Sequence, residues 1–129
     1  MNKVLVDSSV WISFFKGAEE SKILFPLIEA NQLCINDLIL AELIPSLNHK
    51  KEHEIAKLLQ SIERPPLDID WVEIMRMQTL NLKHGINKVG IPDLIIVQNA
   101  MQNNICLLSF DKHFTLMKSH FGFKTMDLR

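Results

Sequence analysis

Short unbroken apolar runs alternate along this chain with longer stretches in which apolar residues return every three or four positions. The first pattern belongs to strands buried on both faces, the second to helices with one buried side. Lys3-Val4-Leu5-Val6-Asp7 opens as a buried strand, and Ser8-Ser9 supply helix caps before Val10-Trp11-Ile12 and Phe14-Phe15. Ile23, Leu24, Leu27 and Ile28 predict a helix over 19–30, and Leu33-Cys34-Ile35 a second strand. Asn36-Asp37 read as the cap of a helix carrying Leu38, Ile39, Ala41, Glu42 and Leu43, whose first section Pro45 should kink or end before Leu47. Ile55, Leu58, Leu59 and Ile62 predict an amphipathic helix over 49–62, stopped by Pro65-Pro66.

Leu67-Asp68-Ile69 is a marginal edge strand, and a helix follows over 70–83, with Ile74, Met75 and Leu82 among its apolar positions and His84-Gly85 as its C-terminal signal. Residues 86–90 form a loop. Pro92 suits the first turn of a further helix, Asp93 falls beside it, and Leu94, Ile95, Val97, Ala100 and Met101 supply the buried face. Asn103-Asn104 can end it in a left-handed turn before a strand over 105–108. Ser109, Phe110 and Asp111 lead into a short helix to about Ser119, and 121–126 reads as an edge strand. Strands alternating with helices predict an α/β protein whose parallel sheet has helices on both faces; ligands in such folds bind beyond the carboxyl ends of the strands.

The bulk properties narrow this only a little. A chain of 129 residues, 47% apolar and 22% charged, with four glycines and five prolines, fits one compact domain over 1–129. Met1-Asn2-Lys3 leads into too few apolar residues for a secretory signal, and no run approaches bilayer length, so a cytoplasmic protein without membrane contact is expected. A net charge of −1 provides no global field for a polyanion, which would have to be held by a local basic patch or by a metal. Cys34 and Cys106 lie in short apolar runs, the usual setting of buried, reduced thiols.

Four acids change the picture. Asp7, Glu42, Asp93 and Asp111 each sit where an apolar run ends or a helix begins. Asp7 follows its strand directly, Asp111 lies just beyond a later strand, and Asp93 lies in the first turn of a helix that starts at the same edge. Glu42 lies about one turn into its helix. Carboxylates brought together repel unless a hard cation neutralises them, and oxygen ligands of this kind suit Mg²⁺ or Mn²⁺. Such a centre supports phosphodiester hydrolysis without a His, Ser or Lys nucleophile. Taken singly, each acid has a plainer reading: Asp7 and Asp93 as helix caps, Asp111 as a turn residue, Glu42 as solvated surface.

Val6-Asp7-Ser8-Ser9-Val10-Trp11-Ile12, Leu40-Ala41-Glu42-Leu43, Pro92-Asp93-Leu94-Ile95-Ile96 and Leu108-Ser109-Phe110-Asp111-Lys112-His113-Phe114 resemble, in order, the blocks of PIN-domain ribonucleases, especially VapC-like toxins. The resemblance spans nearly the whole chain. It implies a three-layer PIN-like fold with a parallel sheet of four to five strands in the order 3-2-1-4-5, which would separate Cys34 from Cys106 by one strand, beyond disulfide reach. It also implies that Asp7, Glu42, Asp93 and Asp111 are the catalytic and metal-binding acids for Mg²⁺ or Mn²⁺, with the Ser9 and Ser109 hydroxyls in support. An endoribonuclease acting on RNA follows, the toxin of a type II toxin-antitoxin pair, usually a homodimer inhibited by a small antitoxin. Asn104 stands where the family often has Gly, and Ser109 where Thr is commoner. A non-catalytic PIN-like scaffold and a housekeeping RNA-processing nuclease are the alternatives.

Rival signals are weaker. His49-Lys50-Lys51-Glu52-His53 spells the inverted zinc-protease motif, but in a very polar segment that reads as a solvated helix start. A phosphoryl-transfer domain with an aspartyl phosphate would need a second acid beside Asp7 or a late Lys, and Ser8-Ser9-Val10 follow instead. Trp11, Phe14, Phe15 and Trp71 suit core or a subunit interface better than base stacking. His84, His113 and His120 read as surface or capping residues, and Lys16, Lys83, Lys88 and Lys112 as candidate phosphate contacts.

Overall fold

A computed structural model describes residues 3–126; the expected domain limits at 1 and 129 lie outside the described residues. Val4–Val6 (β1), Leu33–Cys34 (β2) and Cys106–Leu108 (β3) form a parallel sheet in the order β2-β1-β3. Val4 pairs with Leu33 and Cys106, Leu5 with Cys34 and Leu107, and Val6 with Leu108. Leu5 and Val6 are wholly buried, as a strand must be when helical crossovers cover both faces of its sheet. The helices are Ser8–Phe15 (α1), Leu24–Glu29 (α2), Asp37–His49 (α3), His53–Gln60 (α4), Trp71–Lys83 (α5), Ile91–Gln102 (α6) and Lys112–Lys118 (α7). Among the described residues no helix is long and apolar enough to cross a membrane.

The α/β architecture is as expected, but among the described residues the sheet has three strands instead of the four to five expected. Leu67–Ile69 is not a strand. Pro65 and Pro66 deny a ladder two amide donors, and side-chain amides of α6 bind the following backbone instead. Asn99 Nδ2 donates to the Pro66 carbonyl at 2.8 Å, Gln102 Nε2 to that of Asp68 at 2.9 Å, and Gln98 makes two 3.1 Å bonds with the Asp70 backbone. The outer positions are held only by isolated parallel bridges, Cys34 to Glu63 and Leu107 to Thr125. The expected edge strand over 121–126 thus shrinks to one pair.

Helix limits differ in instructive places. The helix expected over 19–30 begins as a 3-10 turn, Glu19–Ile23, before α2. Pro45 does not break α3, which runs on to His49. Both Pro45 and Ala41, whose carbonyl the missing amide would have met, are exposed, where an unpaired carbonyl costs less than in the core. The helix expected over 49–62 is instead the end of α3 and a separate α4, divided at Lys51, which adopts φ 60°. Asp70 caps α5 by accepting from the Glu73 amide at 3.2 Å, and Gly85 after it takes φ 76°, a conformation glycine reaches without strain. Its buried side is Ile74, Met77 and Asn81, whereas Met75 and Leu82 face outward, as does Met101 on α6. Asn104 adopts the expected left-handed turn, φ 52°. Cys34 and Cys106 flank β1 as free thiols, and burial, then the Glu63 charge, pushes the Cys34 thiol up, away from reactivity.

Candidate metal centre at the carboxyl edge of the sheet

Asp7 leaves β1 and stands at the N-cap position of α1, yet its side chain makes no capping bond. It is occupied otherwise. The Ser9 and Ser109 hydroxyls both donate to Asp7 Oδ2 at 2.8 Å, and they lie 3.3 Å from each other. Each hydroxyl is itself anchored, since the Phe110 amide donates to Ser9 Oγ at 3.1 Å and the Asp111 amide to Ser109 Oγ at 3.0 Å. This bracket ties the end of β1 to the end of β3 and fixes a carboxylate that is only 5% exposed. The plain helix-cap reading of Asp7 therefore fails, and both serine hydroxyls bind its carboxylate.

Asp111 does cap a helix. Its Oδ1 accepts from the His113 amide at 2.9 Å and starts α7. Asp93, in the first turn of α6, reaches back to the start of its helix and accepts from the Gly90 backbone. One ligand atom from each of Asp93, Asp111 and His113 lies within 4.8 Å of the others. His113 Nδ1 is 3.2 Å from Asp111 Oδ1 and 3.9 Å from Asp93 Oδ2, but buried without hydrogen-bond geometry to either. Asp7 and Glu42 stand outside this tightest group and belong to the same field of charge. Asp93 feels Asp111 and Asp7, and Glu42 feels Asp7 and Asp93. The first turns of α1, α6 and α7 start at these acids, and their amide ends offset part of the negative charge.

The electrostatics show an incompletely neutralised cluster. Burial, then Asp111 and Asp7, pushes the Asp93 carboxyl up, opposed by His113 and the Gly90 backbone. Burial, then Asp7, pushes Glu42 up as well, with Asp93 adding to it and the Ser8 hydroxyl opposing, although Glu42 lies on the more open side of the cluster. Among the described residues no lysine or arginine pairs with any of the four acids. Raised acids bind protons more tightly when folded, so their contribution to stability is present below the ordinary carboxylate range and lost as pH rises through and above it. In chelator, the melting temperature of Glu42→Gln relative to the parent protein is therefore expected to climb between about pH 4 and about pH 7. A pH-independent difference would contradict the repulsion.

Several residues escaped sequence reasoning. His113, expected to be a surface or capping residue, turns its Nδ1 into the acids; its signal was its place two residues after Asp111. Asn36 and Asn99 form a buried pair, Asn36 Nδ2 donating to Asn99 Oδ1 at 3.0 Å, which joins the helix of Glu42 to that of Asp93. The zinc-protease spelling dissolves, because His49 ends α3 and His53 begins α4. Trp11 is core and Trp71 is 55% exposed. Trp11, Phe14, Phe15, Ile28, Leu58 and Ile62 line an apolar groove of about 380 Å³ that contains none of the acids. Lys16, Lys83, Lys88 and Lys112 are all exposed. Lys16 shares with Glu42 and Lys50 a second depression of about 380 Å³.

No curated protein sequence matches the chain. Solved structures do. A DNA-bound VapBC from Salmonella typhimurium superposes with a TM-score of 0.75 at 17% identity, covering 100% of both chains. A toxin-antitoxin complex from Klebsiella pneumoniae gives 0.70 at 21% identity over 98% of each chain. The Mycobacterium tuberculosis toxin VapC20, described as cleaving the sarcin-ricin loop, gives 0.59 at 16% identity over 92% of this chain and 96% of that one. At such identities these likenesses establish the fold alone. The profile of the PIN domain, however, matches residues 4–118, a span that includes all four acids, both supporting serines and His113; the chain belongs to the PIN-domain family.

Proposed function

We propose that this protein is a metal-dependent endoribonuclease, the toxin of a type II toxin-antitoxin pair. The observation that carries the reading is the meeting, at the carboxyl edge of the sheet, of acids from four distant segments, with no lysine or arginine among the described residues to pair them. Asp7, Glu42, Asp93 and Asp111 would hold Mg²⁺ or Mn²⁺, and the donor set fits, being oxygen-rich, mutually repelling and bordered by an orphaned buried nitrogen. When bound, such an ion supplies a nucleophile at neutral pH and offsets the charge that builds on phosphoryl oxygens. The serine bracket holds Asp7 in one orientation before any ligand arrives, so no reorganisation is needed on binding. Lys16 and Lys50, beside Glu42, would hold substrate phosphates. The neighbour described as cutting the sarcin-ricin loop favours RNA as substrate, and the neighbouring complexes favour a small antitoxin as inhibitor. Exposed Trp71, Val72 and Met75 on α5 offer apolar surface for a homodimer.

Incubation of the protein with single-stranded RNA tests this reading. Cleavage is expected with Mg²⁺ or Mn²⁺ and none in excess chelator, and Mn²⁺ at about a hundred times its dissociation constant should stabilise the fold by about 2.7 kcal/mol. Cleavage indifferent to chelator would sink the metal mechanism. Saturable stabilisation without cleavage of any RNA would instead leave a PIN-like binding scaffold.

A further inference from the structure

Among the described residues, only Trp11 Nε1 and His113 Nδ1 are buried side-chain polar atoms without a hydrogen-bond partner. They differ in chemistry. The indole nitrogen can only donate, whereas an imidazole nitrogen carries a lone pair that can bind a metal. Leaving such a nitrogen unpaired costs about 1–3 kcal/mol, and the His113 ring is kept there by a backbone already fixed through the bond from its amide to Asp111 Oδ1.

We infer that His113 binds the divalent ion through Nδ1, as a nitrogen ligand beside Asp93 and Asp111, and tilts the site from Mg²⁺ towards first-row transition ions. The inference rests on the metal-dependent reading above. Ligand atoms about 2.1 Å from an octahedral ion lie about 3.0 Å apart at adjacent corners and about 4.2 Å apart at opposite ones. The 3.2 Å from Nδ1 to the Asp111 oxygen is close to the adjacent-corner value, and the 3.9 Å to the Asp93 oxygen is nearer the opposite-corner one. Magnesium is served by carboxylate and water oxygens, while imidazole favours the transition ions along the Irving–Williams series. A ring that merely neutralised the acids would instead compete with every cation alike, so ion selectivity separates the two roles.

Titration of the metal-free protein, His113→Ala and His113→Gln with Co²⁺ and with Mg²⁺, followed by calorimetry and thermal melting, tests the assignment without any cleavage assay. Both variants are expected to weaken Co²⁺ by at least ~10-fold and Mg²⁺ by less than about 2-fold, and to change the visible absorption of bound Co²⁺. Equal effects on the two ions, or an unchanged Co²⁺ spectrum, would overturn the assignment while leaving the metal centre intact. If the parent protein binds neither ion saturably, the metal-dependent reading falls and this inference with it.

Discussion

Asp93→Asn is expected to abolish metal-dependent RNA cleavage while leaving the protein folded, and more stable than its parent in chelator. The amide keeps the size of the carboxyl and removes its charge. Loss of a correctly held ion forfeits several kcal/mol of transition-state stabilisation, and at 1.36 kcal/mol per tenfold about 4 kcal/mol corresponds to roughly 10³-fold in rate. The stability effect runs the other way. Asp93 is half-buried beside Asp111 and Asp7, and its ionised form is disfavoured by burial and by both neighbours; neutralising it relieves those costs in the metal-free state. Two measurements separate this outcome from simple damage: turnover on a labelled RNA with Mn²⁺, and melting temperature with and without Mn²⁺. The parent should gain stability from the ion and the variant should gain much less. Full activity in the variant would remove Asp93 from the mechanism, and a lower melting temperature in chelator would mean that the carboxylate is structural.

The position of Asp93 was readable because a short list of local rules converges on it. Pro92 marks a first helical turn, crossover helices start at the carboxyl edge of a parallel sheet, and Asp7 and Asp111 lie just beyond strand ends at that edge. Each rule works over a few residues. What the sequence did not disclose depends on pairs far apart along it. The amides of Asn99 and Gln102 hold the segment after Pro65-Pro66, so an apolar triplet that looks like a strand docks without a ladder. Pro45 does not end α3, because it and Ala41 lie on the exposed side of the helix, and exposure is a tertiary property. The division of α3 from α4 rests on one left-handed lysine, a residue type with no preference for that conformation. His113 was passed over because a histidine in a first helical turn is an ordinary capping residue until a second carboxylate arrives from another helix.

The second large effect is expected from a residue that touches no carboxylate of the centre. Asn36 Oδ1 caps α3 by accepting from the Ile39 amide at 2.9 Å, and its Nδ2 donates to Asn99 Oδ1, both residues being wholly buried. Asn36→Ala removes the cap, about 1 kcal/mol, and strands the Asn99 oxygen in the interior, about 1–3 kcal/mol more. A combined loss of about 2–4 kcal/mol is a large part of the 5–15 kcal/mol typical of a domain. Asn36→Ser should fall between, because a hydroxyl can still cap the helix but is too short to replace the bond to Asn99. Urea unfolding of the three proteins in chelator measures the series, and alanine and serine variants both within about 0.5 kcal/mol of the parent would show that water satisfies Asn99 after all. Cleavage should also fall, though by less than in Asp93→Asn. Glu42 lies farther along the helix that Asn36 begins and Asp93 lies on the helix that carries Asn99, so their bond sets how the two acids face each other before an ion arrives. Mn²⁺ at one fixed excess should therefore stabilise Asn36→Ala by less than it stabilises the parent, since in the variant binding must also restore the register that the buried amides otherwise hold from beneath the centre.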